Sequence, residues 1–199
     1  VVLRGGLGER IGTAAVFHPT ERRAALPHGD TSDRAEVKQC HAELQDHMEG
    51  EFEAFVHEAV PLGVYWITVD QACVMRKTHG AMACEAMIET VGRTLANALR
   101  PGEEVGRWGD DEFLVLSHDR TGEVLVSHGQ VLAGLARTSD FHWWGDRISI
   151  TVSVGAAASQ QGEGLTQLLE RAQSAMHASM RNGGNHVSLA PGRLACSPL

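Results

Sequence analysis

The segment Arg107-Trp108-Gly109-Asp110-Asp111-Glu112-Phe113-Leu114-Val115-Leu116 decides how this chain is read. A turn from Gly109 to Glu112 separates two strand-like runs, Glu104–Trp108 and Phe113–Ser117, so the stretch reads as a β-hairpin with an acidic tip. Asp110, Asp111 and Glu112 cannot all point inward, and they crowd a solvent-facing edge. Hard cations such as Mg²⁺ use such a tip, completing one or two carboxylates with water and substrate phosphates. The plainer reading of the segment alone is an acidic loop that only keeps a turn soluble.

Working outward, strands and helices alternate. Upstream lies an apolar strand, Leu62–Val69, then a helix from about Gly80 to Leu99 striped by Cys84, Met87, Ile88, Val91 and Leu95. Downstream come a helix near Gly122–Arg137, a long alternating strand Arg147–Ala157, and a helix carrying Leu165, Leu168, Leu169, Ala172, Ala175, Met176 and Ser179. A short strand near His186–Leu189 closes the sheet. Hairpins mixed with helical crossovers predict an α/β (α+β) sandwich around one mixed, largely antiparallel sheet. Before it, Arg34 to Ala59 carries apolar residues at Val37, Cys40, Leu44, Met48, Phe52 and Phe55, a one-stripe helix capped by Ser32 or Asp33 and stopped by Pro61. It would span roughly 40 Å, enough for a signalling stalk, and packing on the following domain is the equal alternative. Val1–His18 reads as a hairpin around Gly5-Gly6-Leu7-Gly8, and Pro19 to Asp33 as a linker.

With 199 residues, 43% hydrophobic and 21% charged, the chain suits a folded domain with an appendage. A formal net charge of -8 argues against a general nucleic-acid binder, which needs a basic face. No apolar run reaches the length of a membrane span, and no secretory signal opens the chain. Beginning at Val1 rather than Met, it reads as a piece of a longer protein. Cys40, Cys73, Cys84 and Cys196 form no C-x-x-C pair and read as reduced thiols, and the histidines show no zinc spacing.

The segment RWGDDEFLVL resembles the R-Y-G-G-D-E-F signature of GGDEF domains, the diguanylate cyclase family of bacterial signalling. ITVDQACVMRKTHG resembles that family's L-D-I-D-x-F-K-x-I-N-D-x-x-G segment, ISITVSVGAAA its V-T-V-S-x-G-x-A strand, and LLERAQSAMHASMRNGGNHV its last helix. The resemblance covers Leu62 to Leu189. Val1–His18 more weakly resembles the closing strands of a PAS sensor domain. The family resemblance implies two domains face to face, each holding one GTP, whose α-phosphates are attacked across the dimer to give cyclic di-GMP with Mg²⁺ assistance.

Carried over by position, the resemblance places metal ligands at Thr68, the Val69 backbone and Asp111, and the vestigial catalytic acid at Glu112. Nucleotide contacts fall at Gly109, Asp110, Arg76 and Glu85. The product-inhibition motif R-x-x-D falls on Arg100-Pro101-Gly102-Glu103. Thr68 is neutral where the family has a metal-binding Asp, which handicaps a cation that sheds its waters reluctantly. Asp110 replaces a glycine and sets a charge beside the triphosphate, a repulsion of about 3 kcal/mol at roughly 6 Å before screening. Arg76 replaces an Asn and can only donate hydrogen bonds. Ala72-Cys73 replaces a Phe-Lys pair, and Met180 and Gly184 stand where the family has Lys and Arg on the phosphates.

The reading is therefore a degenerate GGDEF domain, catalytically silent, acting as a cyclic di-GMP receptor or protein-interaction module. An active diguanylate cyclase with weakened Mg²⁺ and GTP binding is the alternative, and a dimerisation spacer the third. Expected boundaries are 1–33 for the hairpin and linker, 34–60 for the stalk helix, 61–190 for the GGDEF domain and 191–199 for a tail. Expected partners are a second copy through the stalk stripe and a signalling protein, with no nucleic acid, on the cytoplasmic side.

Overall fold

The alternation of strand and helix signals leads to a three-layer arrangement. The structure, a computed structural model, describes residues 2–4, 10–13, 41–58, 60–119 and 121–192. Contacts divide the chain into two units, one ending at Ser32 and one starting at Asp33. In the first, β1 (Val2–Arg4) pairs antiparallel with β2 (Arg10–Thr13) as the expected hairpin. The Gly-rich turn, the Pro19–Asp33 linker, the caps Ser32 and Asp33, and Val37, Cys40 and Cys196 lie outside the described residues.

The second unit runs α1 (His41–Glu58), β3 (Gly63–Val69), α2 (Ala72–His79), α3 (Ala81–Ala98), β4 (Glu104–Arg107), β5 (Glu112–Ser117), α4 (Gly122–Thr138), β6 (His142–Trp143), β7 (Asp146–Arg147), β8 (Val152–Ala158), α5 (Leu165–Arg181) and β9 (Val187–Leu189). Five strands form one sheet in the order β4-β5-β3-β8-β9, antiparallel except for the β8–β9 pair. Period-two alternation sends Tyr65, Ile67 and Val69 to the face shared with α2, α3 and α4. Val64 and Trp66 go to the opposite face, against α1 and α5. The sheet is buried on both sides, which is why β3 reads as an unbroken apolar run.

The helix expected from about Gly80 to Leu99 is α3; one element was not foreseen, and two expectations need correction. A further helix, α2, precedes α3 and meets it at Gly80, whose φ of 88° breaks the helical path. With only Ala72 and Met75 buried, α2 is too short and too sparsely apolar to show a stripe. The strand placed at Arg147–Ala157 begins at Val152. Arg147 belongs to a small separate hairpin, β6–β7, turned by Trp144 and Gly145, both at positive φ. Finally, of the stripe expected to meet a second copy, Leu44 and Met48 are taken up within this chain. Leu44 and Met48 are fully buried in the core under the sheet, and Phe52 and Phe55 pack against it. Leu44 fills the space above Gly106, where an added Cβ would overlap its side chain.

Close packing also accounts for Gly155 on β8. A Cβ there would sit 2.0 Å from the Ala172 carbonyl oxygen and 2.2 Å from the Met176 nitrogen, so α5 can lie this near the sheet only over a glycine.

Candidate functional site

The β4–β5 hairpin is built around Arg107. Its Nε donates to the Gly109 carbonyl at 3.1 Å and a terminal nitrogen donates to the Asp110 carbonyl at 2.7 Å. The same guanidinium pairs with both oxygens of Glu85 from α3, one of them at 2.9 Å. That pairing holds the Glu85 carboxyl below the usual carboxylate range. The tip is thus a turn whose carbonyls are gathered by one cation. Glu85, predicted to contact a nucleotide base, has its carboxylate occupied.

At the tip, the backbone joins β3 directly: the Val69 N–H donates to the Asp111 carbonyl at 3.0 Å, and Thr68 is registered with Glu112 on one side and Ser153 on the other. The strand register therefore sets Thr68, Val69, Asp111 and Glu112, the positions the resemblance marks, beside one another. Thr68 is only 4% exposed. Glu112 is half-buried, and burial pushes its carboxyl up, with the Asp111 carboxylate adding and Trp66 and His177 opposing. The positions expected to hold a metal supply one carboxylate, Asp111, the Val69 backbone and a neutral hydroxyl at Thr68, a weaker cradle for Mg²⁺ than one with a carboxylate at both side-chain positions.

Asp110 points away, 85% exposed, with its carboxylate 3.9 Å from the Arg76 guanidinium of α2, itself 45% exposed. The two residues that replace the family's glycine and asparagine face each other as an ion pair. Beyond them, Met180 is exposed near the end of α5. Gly184, at a φ of 73°, leaves room for Asp70, whose oxygen would lie 3.0 Å from an added Cβ. Asp70 is a structural tie that sequence reading did not identify. It accepts from the Thr151 and Ser153 hydroxyls, both at 2.6 Å, and from the Asn185 N–H at 2.9 Å, joining β3, β8 and the loop after α5.

Arg100 and Glu103 sit elsewhere, toward the opposite end of β5. Pro101-Gly102 makes the turn, with Gly102 at a φ of 86° and the Glu103 N–H donating to the Arg100 carbonyl at 3.0 Å. Arg100 is 48% exposed and pairs with Asp119 at 3.1 Å. Glu103 instead turns inward. Its side chain, 4% exposed, accepts from the Ser117 hydroxyl at 2.9 Å and the Arg100 N–H at 2.8 Å, and lies 3.2 Å from His128 Nδ1. His128 was also unread, although a histidine on the apolar stripe of an amphipathic helix, between Leu125 and Leu132, is a visible signal.

Comparison with known proteins agrees with this architecture. The model of the family described as diguanylate cyclase, GGDEF domain, matches residues 40–186. Diguanylate cyclase A of Treponema denticola is 23% identical over 134 residues, 67% of this chain and 36% of that protein. Diguanylate cyclase DosC of Escherichia coli is 27% identical over 130 residues, 65% of this chain and 28% of its own. The chain thus spans about a third of the length of these curated relatives. Among solved structures, the GGDEF domain of DgcB from Caulobacter crescentus, in complex with c-di-GMP, superposes with a TM-score of 0.73 at 20% identity, covering 83% of this chain and 98% of that one. Diguanylate cyclase SiaD of Pseudomonas aeruginosa, in complex with its activator SiaC, gives 0.71 at 23% identity over 75% of this chain and 58% of that one. A hairpin tip locked against the end of the central strand, on a sheet shared with those structures and within a family match over most of its length, places this chain in the GGDEF diguanylate cyclase family.

Proposed function

We propose that this chain is a catalytically silent GGDEF domain that serves cyclic di-GMP signalling as an interaction module rather than as a cyclase. The observation that carries the reading is Thr68: buried, neutral and paired directly to the signature strand, it stands where the resemblance puts an anionic metal ligand. Four further features point the same way. Asp110 adds charge to the tip and is engaged by Arg76. Glu85 is taken up by Arg107. Met180 and Gly184 offer a triphosphate no cation.

Reading of cyclic di-GMP through Arg100 is reduced by the same geometry. A guanine edge at Arg100 would find the guanidinium, but the Glu103 carboxylate is spent inside on Ser117 and the Arg100 backbone. That leaves protein contact as the better-supported mode of action. SiaD, a relative solved with its activator SiaC, is a precedent for a family member that engages a protein. The β1–β2 hairpin fits the end of an upstream PAS sensor feeding such a module, with the domain boundaries given above.

The working-cyclase reading keeps one observation in its favour, the survival of Asp111 and Glu112 at the tip. Incubating the protein with GTP and Mg²⁺ or Mn²⁺ and assaying cyclic di-GMP separates the two. The expected result is no product. Turnover that is abolished by Asp111→Ala overturns the proposal.

A further inference from the structure

Helix α4 presents a flank that the described residues leave uncovered. Val124, Val131 and Leu135 are exposed on it. At about 100° per residue the three fall within roughly 40° of one another, so they form one line along the helix. Ser127, Gly134 and Thr138 lie beside that line, within roughly 60° of Val131. The helix carries one acidic and one basic side chain, Glu123 in its first turn and Arg137 in its last. Both fall on the same side of the apolar line, away from the buried His128.

The glycines of α4 differ in what accounts for them. A Cβ on Gly129 would stand 3.0 Å from Val187 and 3.4 Å from the Tyr65 ring, so the fold itself needs that glycine. A Cβ on Gly134 would meet nothing within 4 Å. Glycine inside a helix weakens it, and no close packing among the described residues offsets that loss at Gly134. The position suits an approach from outside: where two helices press together, a missing side chain lets the backbones come near.

We propose that α4 is a self-association surface, packing antiparallel on the α4 of a second copy of this chain about a two-fold axis between Gln130 and Val131. A two-fold interface uses one patch twice, so the patch must complement itself. This one does. The two Val131 side chains meet near the axis, and Ser127 lies opposite the partner's Gly134, a small pair where the helices come closest. Glu123 comes level with the partner's Arg137 on the same side, and the reciprocal pair closes the other end. A helix of an unrelated protein would require no such symmetry. The 17 residues of α4 span about 25 Å, so the paired area falls below the roughly 1,200 Å² of stable interfaces and the dimer is weak and concentration-dependent. The contact does not use the signature tip, so it goes beyond the role proposed above and stands whether or not that tip is catalytically silent.

The test is sedimentation equilibrium of the whole chain, freed of nucleotide, up to high micromolar concentration. The expected result is a monomer–dimer equilibrium that Asp111→Ala leaves unchanged. Val131→Glu sets two carboxylates against each other at the axis and should weaken association about tenfold or more. Gly134→Leu should block it without lowering Tm, because the added side chain has open space within its own chain. Glu123→Arg and Arg137→Glu should each weaken association severalfold, and the double exchange should restore it, since both pairs re-form with their signs reversed. Glu123 and Arg137 also suit the dipole of their own helix, but that role alone predicts no effect of either exchange on association. A monomer at every concentration, a dimer that forms only with cyclic di-GMP present, a dimer insensitive to Val131→Glu, or a double exchange that does not recover overturns the proposal.

Discussion

Replacing Leu44 by alanine tests whether α1 is a core helix or a stalk. Leu44 is fully buried, and its methyl groups occupy the hollow above Gly106 on β4, so no smaller side chain reaches the sheet there. The substitution removes three carbons, about 2.4 kcal/mol at roughly 0.8 kcal/mol per buried methylene. The cavity left between a helix and a sheet that cannot fully collapse raises the total to about 3 kcal/mol, within the range of about 2–5 seen for buried leucines. For a chain of this size that lowers Tm by about 6–12 °C. Thermal and urea unfolding followed by circular dichroism, at two protein concentrations tenfold apart, reads the change. The expected loss is the same at both concentrations, because the contact lies within one chain. A loss under about 1 kcal/mol, or one that grows on dilution, would refute the argument and return Leu44 to a subunit interface.

Gly155→Ala should cost more than Leu44→Ala, since its Cβ would collide with the backbone of α5 rather than with a movable side chain; loss of the cooperative unfolding transition is the readout. Arg107→Ala should leave global stability within about 1–2 kcal/mol while raising hydrogen exchange at the tip amides from Gly109 to Asp111, because it removes the cation that gathers their carbonyls. Burial raises the Glu112 carboxyl above its ordinary 4.5, so the folded state binds that proton more tightly than the unfolded one. Its contribution to stability therefore falls as pH rises from about 4.5 through the raised folded value. Glu112→Gln should accordingly stabilise at neutral pH and lose that advantage below about pH 4.5, as read by Tm against pH; an advantage that persists at low pH would contradict the cause given.

The sequence by itself determined the elements whose pattern is local. The Phe113–Ser117 strand, the Pro101-Gly102 turn, the striped α3 and α5, and the acidic hairpin tip all follow from period, turn chemistry and spacing. That Thr68 and Asp111 would be neighbours came from the family resemblance alone, and the β3–β5 register does set their backbones side by side. Tertiary structure alone decided whatever depended on the partner of a face. The stripe of α1 has the same period whether it meets another copy or its own sheet, and only packing sends Leu44 and Met48 into the core. The Arg100–Glu103 spacing is the same whether both side chains face solvent or one turns inward. Glu103 turns inward because Ser117 and His128, distant in sequence, wait beneath the turn. The ties made by Asp70 and His128 stayed unread for that reason: their partners lie 81 and 25 positions away, and hydrogen-bond geometry at that separation leaves no periodic trace in the chain.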